Sequence, residues 1–526
     1  MTRTTRPLLS RRHFLAASGA AGLATLSNSA FPSLSRAASR PVITHGLQSG
    51  DVSTNSGVVW VRVDRPARVF FDIATSDSFK TVHRSVFVDA LPESDFTAKA
   101  LVEDLPSGQD IFYRVRPQDL VDVNGTGEPM VGRFRTTPAD RRDISFVWSG
   151  DTAGQGWGID ESRGGMKIYE TMLRHRPDFF IHSGDTIYAD GPIAAEVKLP
   201  DGGVWKNVVL EEKAKVAETL AEFRANYKYN LLDQHLRAFN AAVPMLAQWD
   251  DHEVINNWSP SKSLAEDNRY TVKQVPLLAA RAARAFHEYM PIAATPQEAA
   301  RVYRKVAYGP SLDIFFLDMR SYRGPNTDNM QAEEGPETVF LGAEQLAWLK
   351  RALMNSRATW KVIAADMPLG LIVWNDAANK RGSEAIAQGN GPALGRELEI
   401  ADLLSFIKRA GVKNVVWLTA DVHYTAAHYY DPSRAQFQDF EPFWEFVSGP
   451  LHAGTFGPGD LDDTFGPQLK YVKAPAPGQG QNLPPSMGLQ FFGHVHIDGK
   501  TDQMTVTLKD VADADLWKVT LDPVRT

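Results

Sequence analysis

The sequence predicts an α/β domain built on a mixed sheet, preceded by a small all-β sandwich. Three observations predict this. Residues 41–137 carry short β-branched and aromatic runs separated by turn residues. From Ile144 onward, short apolar runs ending in polar residues alternate with helical stretches. Between the two regions, Pro138 and the charged Asp140-Arg141-Arg142-Asp143 read as a boundary, giving domains at 41–137 and 144–526.

Composition sets the outer limits. The chain has 526 residues, 43% hydrophobic and 23% charged, which are ordinary globular values. A disordered chain, a collagen-like fibre and a coiled coil are excluded. The 56 basic and 63 acidic residues give −7, against a nucleic-acid-binding role. There is no cysteine, which removes disulfides, thiolate-bound zinc, iron–sulfur clusters and a thiol nucleophile.

The N-terminus reads as an address. Ser10-Arg11-Arg12-His13-Phe14-Leu15 precedes an Ala- and Gly-rich apolar stretch, and Arg36-Ala37-Ala38 supplies a small-residue cleavage site. Residues 1–38 are expected to be a twin-arginine signal peptide, with the twin-arginine translocation machinery as partner and a periplasmic or secreted destination. Cleavage removes five arginines and no acid, taking the charge from −7 to −12. No later run approaches the ~20 apolar residues of a membrane span.

The elements follow in order. In the first domain, Gly57–Val63 and Arg68–Ile73 are β-branched and aromatic, and Phe112–Arg116 alternates. In the second, strands are predicted at Ile144–Ser149, Asp178–Ser183, Val243–Trp249, Ile314–Leu317, Trp360–Ala365 and Val412–Thr419. Consecutive apolar positions such as Phe179-Phe180-Ile181 predict strands covered on both faces. Helices are predicted at Met166–Arg176, Glu211–Asn226, Gln345–Asn355 and Glu397–Ala410. Residues 455–490, rich in Gly and Pro, read as a long ordered loop.

The chemistry sits at strand ends. Four runs terminate in Ser149-Gly150-Asp151, in Ser183-Gly184-Asp185-x-x-Tyr188, in Trp249-Asp250-Asp251-His252-Glu253 with Asn256-Asn257 beyond, and in Thr419-Ala420-Asp421-Val422-His423. Catalytic groups in open α/β sheets gather outside the carboxyl ends of strands. Aspartates converging there repel one another unless cations neutralise them. Asp, Asn, His and Tyr without Cys suit iron, manganese, calcium, magnesium or zinc.

This motif set resembles the PhoD-type alkaline phosphatases, a branch of the calcineurin-like metallophosphoesterases. The segment Ile43–Val63, with His45-Gly46-Leu47-Gln48-Ser49-Gly50-Asp51 and Trp60-Val61-Arg62, resembles that family's N-terminal Ig/fibronectin-like domain. Gly184-Asp185-x-x-Tyr188, Trp249–Trp258, Leu317-Asp318-x-Arg320-x-Tyr322-Arg323 and Leu418–His423 resemble its catalytic motifs. The resemblance implies a mixed-sheet αββα sandwich and hydrolysis of small phosphate esters by a metal-activated water. It also implies ferric iron with calcium. One position departs: the family commonly has Cys after the first strand, and here Asp151 stands there. A carboxylate makes that position harder and shifts its metal preference.

From this resemblance follow residue roles. Asp185 is expected to bridge two metals and Tyr188 to bind ferric iron as phenolate. Asp151, Asp421 and His423 complete the shell, with Asp251 and Asn256 or Asn257 on the second metal. His252 stabilises the phosphoryl group or protonates the leaving oxygen. Arg320 and Arg323 add charge on the phosphate, or else pair with Asp318. Gly493-His494-Val495-His496 matches a closing motif of many metallophosphoesterases, but its terminal-strand setting favours a structural role. Gly382–Gly395 lacks the Lys-Ser/Thr of a phosphate loop and reads as a loop near the site mouth. Phe443–Phe446 and Trp374 are candidates for an aromatic rim or for core. The competing functions are a phosphodiesterase, including phospholipase D-like action on lipid head groups, and a non-catalytic binding module.

Overall fold

The consecutive apolar positions of the predicted strands find cover on both faces in the computed structural model, which describes residues 40–293 and 301–525. The signal peptide expected over residues 1–38 lies outside the described residues. The N-terminal strands are β1 (Ile43–Gly50), β2 (Gly57–Val63), β3 (Ala67–Ala74), β4 (Arg84–Ala90), β5 (Thr97–Val102), β6 (Asp110–Asp119) and β7 (Met130–Arg135). An antiparallel sheet in the order β4-β3-β6-β7 packs on β1, β2 and β5, with Val59 and Val61 facing Phe71 and Val115.

The rest of the chain supplies two larger layers. In order come β8 (Ile144–Ser149), α1 (Lys167–Arg174), β9 (Phe179–Ser183), a hairpin β10–β11 (Glu196–Lys198, Val204–Lys206), α2 (Leu220–Asn230), α3 (Gln234–Ala242), β12 (Met245–Gln248) and α4 (Val275–Tyr289). Then follow β13 (Arg304–Tyr308), β14 (Leu312–Phe316), α5 (Ala343–Asn355), β15 (Trp360–Ala364), a hairpin β16–β17 (Trp374–Asp376, Arg381–Ser383), α6 (Glu397–Arg409), β18 (Val415–Thr419), β19 (Thr425–Tyr430) and β20 (Phe443–Val447). The chain closes with β21 (Pro467–Lys473), β22 (Phe491–Ile497), β23 (Met504–Asp510) and β24 (Asp515–Leu521).

Side chains alternate across each strand, and both destinations are apolar. Phe146, Trp148, Phe179 and Ile181 of one sheet meet Ile314, Phe316, Val362 and Leu418 of the other. Val147 and Phe180 point outward to α1, α3 and α4, while Phe315, Ile363 and Trp417 point to α5 and α6. The result is the αββα sandwich, with a seven-stranded sheet ordered β13-β14-β15-β18-β20-β19-β21. Among the described residues no helix is long and apolar enough to cross a membrane.

The other sheet has nine strands, ordered β24-β23-β22-β8-β9-β12-β1-β2-β5. One sheet of the N-terminal sandwich is therefore continuous with the α/β sheet, and the described residues from Pro41 onward form one compact unit. The junction is the parallel pairing of Gly50 with Met245. The Asp51–Arg304 ion pair at 2.8 Å and the Trp60 Nε1–H donated to the Glu288 carbonyl at 2.7 Å reinforce it. A Cβ on Gly50 would lie 2.4 Å from the Met245 carbonyl oxygen, so only glycine allows this approach.

Two predicted elements change. The stretch Glu211–Asn226 is not one helix. It makes a 3₁₀ turn at Glu211–Lys213, and α2 starts only at Leu220, because Thr219 and Glu222 form a reciprocal capping box. Residues 455–490 are not all loop, since β21 pairs along β19 and forms the edge of the seven-stranded sheet. Gly50→Ala overpacks the seam and should cost about 1–3 kcal/mol. A lowered urea midpoint with unchanged slope is the expected result, and an unchanged midpoint refutes the tight junction.

Candidate metal centre

The carboxyl ends of β8, β9 and β12 in one sheet and of β15 and β18 in the other open onto the same edge of the sandwich. The loops leaving them turn sharply. Asp151, Asp185, Asp421 and His423 have φ of 69°, 50°, 64° and 60°. Left-handed backbone at a non-glycine residue costs on the order of 1 kcal/mol each. Such strain marks positions whose side chains must point one way. Gly184, at φ 98°, lets the β9 loop come within 2.4 Å of the Asp250 Cβ, measured from where its own Cβ would be.

These turns bring three overlapping donor groups together: Asp151, Asp185 and His423; Asp185, Asp251 and His252; and Asp250, Asp251 and Asp421. Within each, the donor atoms lie within 4.8 Å of one another. Asp185 belongs to the first two and Asp251 to the last two, so the groups form a chain linked through shared carboxylates.

The hydrogen bonds leave the donor atoms free. Both Asp151 carboxylate oxygens are buried without a partner, as are one oxygen each of Asp250 and Asp251. An unpaired buried carboxylate is among the costliest groups a protein can hold. Burial, with Asp421 nearby, pushes the Asp151 carboxyl far above the usual range. Burial, with Glu384 as the main charged neighbour, pushes Asp421 up to about 8. The same donor set with a cation in its midst loses that penalty. The residues therefore fit a metal centre of oxygen and imidazole ligands.

The two histidines are oriented from behind. His423 Nδ1 lies 2.5 Å from the Gly454 carbonyl, to which it donates, so Nε2 faces Asp151 at 3.7 Å and Tyr188 Oη at 2.9 Å. Burial lowers its pKa to about 4, which keeps the ring neutral and able to ligate. His252 Nδ1 meets Asp190 Oδ1 at 2.6 Å. Burial opposes a charge on His252, but Asp190, Asp251 and Asp185 outweigh it and raise its pKa well above the ordinary value. Burial also works against the Asp190 anion, yet His252 brings its pKa down to about 2. Tyr188 is buried near Asp185 and Asp151, and all three influences favour its neutral phenol.

The sequence-derived residues separate into groups. Asp151, Asp185, Tyr188, Asp251, His252, Asp421 and His423 come together. Asn256 and Asn257 line the adjoining cavity. The Asn257 amide nitrogen reaches the Asn375 carbonyl at 3.3 Å, while its backbone N–H caps Asp251. Arg320 and Arg323 require correction. Both are fully buried and neither lines the cavity, because their guanidinium groups are taken by carboxylates. Arg320 pairs with Asp250, with Asp366 at 3.0 Å and with Glu384, and approaches Asp421 at 3.4 Å. Arg323 pairs with Glu384 at 3.2 Å. Neither guanidinium pairs with Asp318, which instead accepts the Arg320 backbone N–H.

Sequence reasoning missed Asp190, Asp366 and Glu384, and named Asp250 in its strand-end motif without giving it a role. Asp366 directly follows the predicted strand Trp360–Ala365, so the strand-end rule that found the other aspartates applied to it too. Glu384 had no local signal. Glu253 accepts Thr186 N–H and Oγ1–H and the Asp250 N–H, tying the β9 and β12 loops together. His494 bonds Ser145 across the β22–β8 pair at 2.8 Å, away from the donor groups. Phe443–Phe446 are in the central strand β20, whereas Trp374 lines the cavity.

The cavity beside the donor groups has a volume of about 490 Å³. Asp185, Asp251, His252, Glu384, Asp421 and His423 form its floor, and Leu371, Ile372, Val373, Trp374, Tyr424 and Phe456 its apolar wall. One further pair helps hold that wall. Glu397, at the start of α6, and Asp462 are buried against each other, while the Asp462 N–H binds the Gly370 carbonyl beside the wall. Burial and Asp462 push Glu397 up to about 9, and burial pushes Asp462 up to about 6.

Back-to-back sheets with acidic loops at one edge define the metallophosphoesterase class of fold. The solved structure of PhoD covers 91% of this chain and 89% of its own, at 21% identity and a TM-score of 0.66. A purple acid phosphatase from yellow lupin (Lupinus luteus) seeds covers 92% of this chain and 74% of its own, at 11% identity and a TM-score of 0.53. At these identities the likeness is one of fold. The PhoD-like phosphatase model matches residues 146–508, and that family's N-terminal domain model matches residues 27–138. The chain belongs to the PhoD-like phosphatase family. It is 27% identical over 402 residues to alkaline phosphatase D of Bacillus subtilis (strain 168), an alignment covering 72% of this chain and 64% of that protein.

Two predictions follow from the geometry. Arg320→Met leaves Asp250 and Asp366 without a cation and Glu384 with Arg323 alone, and should cost about 3–5 kcal/mol in urea unfolding. Unchanged stability with a raised KM for a phosphate ester would instead return Arg320 to the substrate. For Glu397, the raised folded pKa means its stabilisation is full below the unfolded value of 4.5 and is lost as pH rises toward about 9. Glu397→Gln should flatten the fall in Tm across that window, and an unaltered slope refutes the shifted group.

Proposed function

We propose that this protein is a metal-dependent phosphoric ester hydrolase that releases phosphate from small organic phosphomonoesters. The observation that carries the reading is the Asp151 carboxylate, buried with both oxygens unpartnered beside two donor groups that share Asp185. Asp185 would bridge two cations, Asp151, His423 and Tyr188 would hold one, and Asp251, with Asn257 or Asp421, the other. The resemblance favours ferric iron on Tyr188 and calcium on the second side, and manganese, magnesium and zinc also suit these donors. Cations held there would supply Lewis-acid charge toward a phosphate ester and would lower the pKa of water at the site.

The chain's own residues supply the rest. Gly454 fixes His423 in the tautomer that presents Nε2. Asp190 fixes His252 at the cavity and favours its protonated ring, which suits donation to the phosphoryl or leaving oxygen. Asn256 is within the same cavity and suits an amide hydrogen bond to the phosphoryl group. Arg320 acts behind the carboxylates and holds them in register. The signal motif at Arg11-Arg12 supports export through the twin-arginine pathway, in which the protein crosses already folded.

A second reading, phosphodiester hydrolysis including lipid head groups, is favoured by the cavity itself. Its volume of about 490 Å³ and its apolar wall leave space for a second substituent on phosphorus. The test is turnover of p-nitrophenyl phosphate against its bis-ester by metal-replete protein, with metal content measured in parallel. Monoester preference is expected, and bis-ester preference transfers the assignment to a diesterase. Asp421→Asn should lose metal and lower kcat on the order of 100-fold or more. A variant that keeps both refutes the centre.

A further inference from the structure

The opposite edge of the seven-stranded sheet carries a second feature, remote from the metal centre. At the amino ends of β15 and β18 lies a cavity of about 620 Å³. Six cations line it: Arg141, Arg357, Lys361, Lys413, Lys500 and Arg525. One acid, Asp502, faces them. In a chain of net charge −7 this is a local reversal of sign. Arg141 pairs with Asp502, and Lys413 pairs with Glu441 at 3.1 Å. Arg357 and Lys500 form no ion pair among the described residues and remain available to an anion. A concave surface lined by one sign of charge concentrates the opposite ion.

Beside it runs an apolar groove of about 390 Å³, walled by Leu404, Ile407, Val412, Trp417, Pro442 and Phe443. The two features share Val412, Lys413, Asn414 and Val524, so they form one continuous depression, cationic at one end and apolar at the other. Trp417 is buried, and its indole N–H has no hydrogen-bond partner. The strand positions from Trp360 to Asp366 separate this depression from the metal centre by roughly 20 Å.

We propose that this depression binds an anionic amphiphile, its phosphate-type head among the cations and its single apolar chain in the groove. A free small anion would leave the groove unused, and a neutral chain would leave Arg357 and Lys500 unanswered. The combination of adjoining charge and apolar surface is what selects a ligand carrying both. Binding here is independent of ester hydrolysis at the other edge of the sheet.

The test is calorimetric titration of the full, metal-loaded chain with decylphosphonate below its micellar concentration. Methylphosphonate supplies the head alone, and decyl maltoside supplies the chain without charge. Arg357→Glu with Lys500→Glu alters the cationic end, and Val524→Asp alters the junction; all three positions are exposed, so folding is preserved. The expected result is binding of decylphosphonate at least tenfold tighter than of either control. Both variants should lose it tenfold or more, with p-nitrophenyl phosphate turnover unchanged. Equal affinity in wild type and variants assigns the phosphonate to the metal centre and overturns the proposal. So does a head-only or uncharged probe that binds as tightly, or no binding at all.

Discussion

Everything at the working edge of this protein answers to one electrostatic constraint: too many carboxylates share one dry pocket. Asp151, Asp185, Asp250, Asp251, Asp366, Glu384 and Asp421 are all buried or nearly so. Arg320 is the protein's own partial answer, because one fully buried guanidinium touches four of them. Its reach ends at Asp250 and Asp421. Asp151 and Asp185, on the far side of the cluster, have no arginine or lysine against them. The charge left over there is what makes cations part of the design, with Arg320 compensating one half of the cluster and the metals the other.

Holding such a cluster demands stiffness that loops alone lack. The sandwich supplies it by planting each loop on a strand buried on both faces. Glu253 cross-links the β9 and β12 loops, and the backbone pairs Thr152 N–H to the Asp185 carbonyl at 2.9 Å and Ala420 N–H to the Asp366 carbonyl at 2.8 Å knit the others together. Against that support, left-handed turns at Asp151, Asp185, Asp421 and His423 persist although each is unfavourable alone. The N-terminal sandwich contributes to the same rigidity. Its β1 extends the sheet that carries β12, and Trp60 packs beneath α4, on the helical layer above that sheet.

The sequence carried most of this pattern, for identifiable reasons. Strands such as β9 and β15 were legible because double-sided burial removes the alternation that would otherwise suggest a surface strand. The clustered carboxylates Asp151, Asp185, Asp251 and Asp421 were legible because strand ends and glycine turns are local features. Arg320 and Arg323 were found but given the wrong office. Their partners Asp250, Asp366 and Glu384 lie up to 70 residues away in the chain, and only the fold shows that those carboxylates reach the guanidinium groups before any substrate can. The continuous nine-stranded sheet was likewise hidden, since one parallel contact at Gly50 leaves no periodic trace.

Asp151 shows how far the constraint extends. Where the family commonly has a thiolate, this chain has a carboxylate with no donor to satisfy it. A carboxylate is more strongly hydrated than a thiolate, so burying it bare costs more. The folded protein without metal therefore carries a larger penalty, and a bound cation removes a larger one. By linkage, whatever binds the native state and not the unfolded chain adds its binding free energy to stability. Metal affinity and folding are thus tied more closely here than a softer ligand would tie them. The same exchange moves the site toward harder ions, because a carboxylate competes best for cations that favour oxygen. One substitution at the end of β8 thereby acts on metal choice and on the cost of folding empty, through a single buried charge.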